Sequence, residues 1–241
     1  MIPAFEHRTL FFAFCTFTGE RETFDRWYDE EHIPQVMDTT GMVGAQRFVV
    51  ADTKPLAGTE PVDFGHAALY ELDGSPAGFR EEVKRMLMSG DMVLPEFMVQ
   101  PFTALFLEPV SEPHHSDRFA GLTDLDDRHL WLVFSERPEQ PEAYDKWYDE
   151  EHIPQVLAAP GFVRAQRFVT SGVKPLPGVV TPEVSHLAIY ETIGDLGPMR
   201  EDVKRQLVSG EMVLPEFMKL PFGSMFLRPV SPFFPAKGAG S

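Results

Sequence analysis

The side chains best suited to proton transfer lie in one short block, residues 27–36, which read WYDEEHIPQV. The block carries an imidazole at His32, a phenol at Tyr28, a carboxylate at Glu31 and an indole at Trp27. Histidine titrates near neutral pH, so His32 suits the role of general acid or base. On a helical wheel of about 100° per residue, Tyr28, Glu31, His32 and Gln35 share the side that carries Phe24, with Trp27 beside it. The aromatic side is the one expected to face inward. Asp29 and Glu30 fall elsewhere and read as solvated. A buried polar group left unpaired costs roughly 1–3 kcal/mol. Polar residues on a core-facing stripe are therefore a satisfied network or the wall of a wet pocket.

Two further residues join the set. Arg47 sits inside an expected strand, where a guanidinium suits bidentate binding of a carboxylate or phenolate. His66 sits in the next expected strand. Each residue also has a structural reading. His32 can fix a helix end; Trp27 and Tyr28 can be core packing; Glu31 can pair with Arg47; His66 can be a satisfied strand histidine. The chain lacks a Gly-rich phosphate loop, a Cys cluster, an HExxH motif and a G-x-S-x-G elbow. No metal and no cofactor are expected, and a metal site would need tertiary assembly.

The elements that must position these groups occur twice. Shifted by 120 positions, the chain matches itself without a gap. Residues 147–156 repeat WYDEEHIPQV, and Arg167 and His186 repeat Arg47 and His66. The second set is thus Trp147, Tyr148, Glu151, His152, Arg167 and His186. Residues 92–98 (MVLPEFM) recur as 212–218. Such a repeat at domain length is a duplication, not a solenoid. Along the first copy, an apolar run at 9–16 reads as a strand and 20–37 as a helix, with Pro34 biasing Ile33 away from helical geometry. Strands follow at 43–51 and 64–72, then a helix at 79–88 ended by Ser89-Gly90, and a last strand at 102–110. The order βαββαβ is the ferredoxin-like motif. The expected fold is α+β, with two ferredoxin-like halves packed sheet to sheet as a single-chain dimeric α/β barrel. The halves are residues 1–112 and 128–232, joined by a polar linker at 113–127 that holds His114 and His115; residues 233–241 form a frayed tail.

Composition narrows the function. A net charge of −16 over 241 residues argues against nucleic acid and against an anionic membrane surface. The one cysteine, Cys15, excludes a disulfide framework, and its counterpart Ser135 argues against a required thiol. The apolar run near the N-terminus is too short to span a bilayer and has no cleavage signal, so a cytoplasmic location is the expectation.

The helix WYDEEHIPQV, the Thr-Gly-Met or Pro-Gly-Phe turn after it and the AQRF strand together resemble the EthD-like branch of the dimeric α/β-barrel superfamily. The resemblance covers both halves. It implies small cofactor-independent enzymes: isomerases, cyclases, dehydratases and quinone-forming monooxygenases, with some haem-degrading relatives. Most such relatives are homodimers of one half, which the duplication here would replace.

The leading expectation is a cofactor-independent lyase acting on a small aromatic or polyketide-like acid. His32 or His152 would move the proton, helped by Tyr28, Tyr148, Glu31 or Glu151. Arg47 or Arg167 would orient the anion, with His66, His186, Trp27 and Trp147 binding substrate. The alternatives are a cofactor-free or haem-dependent monooxygenase on a phenol, and a non-enzymatic small-molecule binder. The expected partner is the small molecule alone, with further homo-oligomerisation open.

Overall fold

The computed structural model describes residues 8–52, 59–61, 65–136, 139–176, 178–182, 184–218 and 222–236. The loop expected around Lys54, Pro55 and Gly58, and the chain beyond Ala236, lie outside the described residues.

The first run of elements is β1 (Thr9–Cys15), α1 (Arg21–Trp27), a π-helical turn (Tyr28–His32), α2 (Ile33–Met37), β2 (Met42–Val50), β3 (Thr59–Pro61), β4 (His66–Leu72), α3 (Pro76–Ser89) and β5 (Thr103–Pro109). A short β6 (His114–His115) precedes the second run. That run is β7 (Arg128–Ser135), α4 (Pro141–Trp147), a π turn (Tyr148–His152), α5 (Ile153–Ala158), β8 (Phe162–Thr170), β9 (His186–Ile193), α6 (Leu196–Ser209) and β10 (Phe222–Pro229). The chain ends on β11 (Phe234–Pro235).

Eight strands close a barrel in the order β2-β4-β1-β5-β8-β9-β7-β10, with β10 returning to β2. All these pairings are antiparallel. The seams between the runs are β5 on β8, with Leu107 opposite Thr170, and β10 on β2, with Leu227 opposite Val50. Two segments expected to be irregular are strands: His114–His115 pairs with β8, and Phe234–Pro235 pairs with β2. Each gives backbone partners to a barrel strand whose outer edge would otherwise stay open.

Strand periodicity divides the side chains into two environments. Leu10, Phe12 and Phe14 point into the barrel with Leu69, Leu105, Leu107, Leu130, Leu132 and Phe168. An eight-stranded barrel is just wide enough for such side chains to fill it, and each buried Leu or Phe contributes roughly 1.5–3 kcal/mol. The alternate residues face the helices. At one end the inward positions become ionic. Arg8, Arg128 and Arg164 meet Glu71 and Glu191, all at most 1% exposed. Burial alone would push the Glu71 carboxyl up, but Arg8, Arg128 and Arg164 outweigh it and bring it down to about 2. The same balance holds Glu191 well below the usual range. Arg8 and Arg128 come from different runs and both bind Glu71, so this network ties the runs together.

The helices lie outside the barrel, over its outward side chains. Ser75 caps α3 by accepting from Gly78 N–H at 3.1 Å, and Gly90, at φ +81°, ends it. Among the described residues no helix is long and apolar enough to cross a membrane.

Candidate functional site

The site grows from the π turn. Pro34 has no N–H to give the carbonyl of Glu30, and its ring would crowd that carbonyl in a regular α-helix. The turn widens instead, and Ile33 N–H bonds to the carbonyl of Tyr28, five residues back. Ile33 keeps helical angles, φ −56° and ψ −49°, contrary to the expectation from the following proline. Such π bulges frequently occur at functional sites.

The widened turn changes which residues share a face. Trp27 and His32, five apart, stack with ring centroids 4.8 Å apart and planes 21° off parallel. Tyr28 meets His32 edge-on at 5.0 Å. Glu31 rotates out and is exposed, as is Glu151 in the second run. The regular wheel placed both glutamates inward; the extra residue per turn carries them away from the cluster.

His32 and Tyr28 form one wall of a cavity of about 90 Å³ between the outer face of the β1–β4–β5 sheet and the helices. Cys15 and Tyr70 add the other polar atoms, and Phe11, Ala13, Phe79, Met98 and Ala104 make it apolar and aromatic. Its lining contains no Lys, Arg, Asp or Glu. The Nδ1 of His32 is buried without a hydrogen-bond partner, and the Tyr70 hydroxyl lies beside that of Tyr28. A ligand hydroxyl or carbonyl would supply what the imidazole nitrogen lacks. Burial pulls His32 down to about 4, so its imidazole is neutral at physiological pH. Burial pushes the Cys15 thiol up to about 12, with Arg47 and Tyr28 opposing, so the sulfur is a neutral wall.

Arg47 is placed differently from the expectation. Its Nη1 donates to Asp29 at 2.8 Å and to the Asp25 carbonyl at 3.2 Å, and its Nη2 pairs with Asp25. The guanidinium lies over the rings of Phe24 and Tyr28, about 5 Å away. Burial would lower its pKa, but the two aspartates outweigh burial and raise it. It braces the helix against β2 and is absent from the cavity lining. Arg167 repeats this with Asp145 at 2.6 Å and Asp149 at 2.7 Å. The partners of Arg47 are Asp29, which the wheel had assigned to solvent, and Asp25, and not Glu31. The spacing of Asp25 and Asp29, one turn apart, was the available signal.

His66 packs against Phe17 and Phe24 at 5.3 and 5.0 Å and lies off the cavity lining. His186 meets Tyr144 edge-on at 5.8 Å. Trp27 and Trp147 support the imidazoles, the latter stacking on His152 at 4.5 Å. His152 is pulled down by burial to about 3. Sequence reasoning missed Tyr70, dismissed Cys15, and had no means to see that Leu176 and Val179, from the loop after β8, complete the cavity. Among the described residues no three His, Cys, Asp or Glu side chains converge as a metal site.

No protein-family model matches the chain, and no curated protein matches its sequence. Solved structures match its fold over nearly the whole length. An anthrone oxidase-like protein aligns with a TM-score of 0.54 at 17% identity, covering 96% of this chain and 94% of that one. A candidate monooxygenase from Lactobacillus acidophilus NCFM aligns at 0.52 and 10% identity, covering 94% and 96%. A chlorite dismutase from Candidatus Nitrospira defluvii aligns at 0.50 and 11%, covering 92% and 90%. At these identities the likeness shows the fold, a closed barrel of the dimeric α/β type.

Proposed function

We propose that this chain oxidises a neutral aromatic substrate, a phenol or anthrone, with dioxygen, using His32 as the base. The observation that carries the reading is the uncharged aromatic cavity that holds a neutral, unpartnered imidazole. His32 takes a proton from the substrate's hydroxyl or activated methylene. The substrate anion that remains is electron-rich and reacts directly with oxygen. For a methylene, one O2 is consumed, a carbon–oxygen double bond forms, and the second oxygen leaves as water; for a phenol, the ring carbon para to the oxygen exchanges its hydrogen for one oxygen of O2 to give a quinone, and the second oxygen again leaves as water. The imidazolium then faces a new oxyanion, and that pairing offsets its burial. Tyr70 donates to the developing oxyanion. Structural neighbours named as anthrone oxidase-like and candidate monooxygenases fit this reading.

A lyase on an aromatic acid would share the proton step. It would also need a cation for the carboxylate, and both candidate arginines are committed to aspartate pairs. The repeated element order supports two ferredoxin-like halves, residues 1–112 and 128–232, that arose by duplication and replace a homodimer.

Oxygen uptake by the purified protein with anthrone tests the reading. One O2 consumed per anthrone, lost in His32→Ala, is expected. Product formed without oxygen uptake would indicate the lyase, and binding without turnover a binding protein.

A further inference from the structure

We infer that the chain binds one aromatic ligand, beneath His32, and that Leu176 and Val179, reaching across the barrel seam, set which ligands fit. The inference rests on the cavity being the ligand site, but not on the reaction there.

The strap that carries these residues is tied down at both ends. After β8 it crosses the seam, where Ser171 N–H donates to the Phe106 carbonyl at 2.8 Å. It then passes over the cavity and turns, with Val179 N–H donating to the Leu176 carbonyl at 3.1 Å and Gly178 at φ +84°. It rejoins β5 at Val180, whose N–H donates to the Phe102 carbonyl at 2.7 Å and whose carbonyl accepts from Ala104 N–H at 2.9 Å. Between these anchors, Leu176 and Val179 present apolar side chains to the cavity. The strap belongs to the second run and the imidazole to the first. Neither run completes the site alone.

The corresponding region beneath His152 carries larger side chains. Trp131 stands where the first run has Phe11, and Val133 where it has Ala13; both are buried, whereas Phe11 and Ala13 remain partly accessible. The Trp131 indole stacks on Phe226 at 5.4 Å with planes 9° apart, and lies 5.0 Å from Tyr190. The larger, buried indole and the added Val133 methyls leave a ligand less room than Phe11 and Ala13 do. The ligand chemistry follows from the first cavity. Its apolar walls favour an aromatic ligand without charge, and the His32–Tyr70 end favours one hydroxyl or carbonyl.

Calorimetric titration with anthrone, and separately with phenol, tests the inference. One anthrone per chain is expected; two per chain, or none, would overturn it. Val179→Trp should weaken anthrone at least about tenfold and leave phenol nearly unchanged, since steric discrimination in apolar pockets spans roughly 10–200-fold. Leu176→Ala should shift the ratio of the two affinities the other way, and it carries the test should Val179→Trp fail to fold. Unchanged ratios in the folded variants would show that the strap plays no part in selection. One anthrone bound without oxygen uptake would sink the oxidase reading and leave this inference standing.

Discussion

The cavity beneath His32 and the core beneath His152 start from the same ten residues, WYDEEHIPQV. Both have the π turn, the stacked tryptophan and the arginine held by two aspartates. They differ in the sheet below. Phe11 and Ala13 line the cavity, and the larger, buried Trp131 and Val133 stand in their places. At the near end, Cys15 and Phe24 give way to Ser135 and Tyr144, whose hydroxyls hydrogen-bond at 2.8 Å. The imidazole follows: His32 keeps some exposure, while His152 is 6% exposed. Holding an imidazole against a tryptophan and leaving space beside it are thus separable tasks. A helix motif performs the first, and a few side chains on the facing strand decide the second.

The sharpest break of this comparison is in turnover. His32→Ala should lower anthrone oxidation by about 10²–10⁴-fold, the usual contribution of a general base, and His152→Ala should leave it near wild type in an oxygen-uptake assay. Equal losses in both variants would mean two working sites and would erase the distinction. Next comes stability. Trp131→Ala empties a packed core and should cost roughly 3–5 kcal/mol. Phe11→Ala enlarges an existing cavity and should cost visibly less, by urea unfolding.

Acid titration gives the next effect. His32 and His152 have folded pKa values lowered to about 4 and about 3. An unfolded histidine takes its proton near pH 6.5, so below that pH the unfolded chain binds more protons than the folded one. Stability should fall as pH drops from about 6.5 toward 4, with the His152 share extending toward 3. Glu71 adds a lower window: its depressed carboxyl stabilises the fold above about 4.5 and loses that effect as pH falls toward 2. Urea midpoints across this range should show His32→Gln flattening the upper window alone. A profile unchanged by that substitution would show that His32 is not buried neutral. The smallest effects belong to Glu31→Gln and Glu151→Gln. Both residues are exposed, and each change should stay within about 0.5 kcal/mol and leave oxygen uptake unaltered.

Much of this was legible in the linear chain. The apolar run at residues 9–16 marked β1, and Ser89-Gly90 marked the end of α3. The block around His32 stood out because it recurs intact. The glutamates were misplaced because a wheel assumes one uniform turn, and Pro34 breaks that uniformity. Asp25 and Asp29 were overlooked because their partner lies on a strand some twenty residues away, and only packing brings helix and strand together. Cys15 looked dispensable because its counterpart is serine. In the structure, that exchange is part of what separates the two sites.

The sequence by itself determined the order of the long strands and helices, the repeat and the residue types available for proton transfer, because these depend on local periodicity and on side-chain identity. Only the tertiary structure decided that the barrel closes through β5–β8 and β10–β2, that Glu71 and Glu191 share three arginines, and that Leu176 and Val179 cover a cavity in the other run. The physical reason is that a cavity is the volume left after distant side chains have packed. No window of sequence contains that remainder.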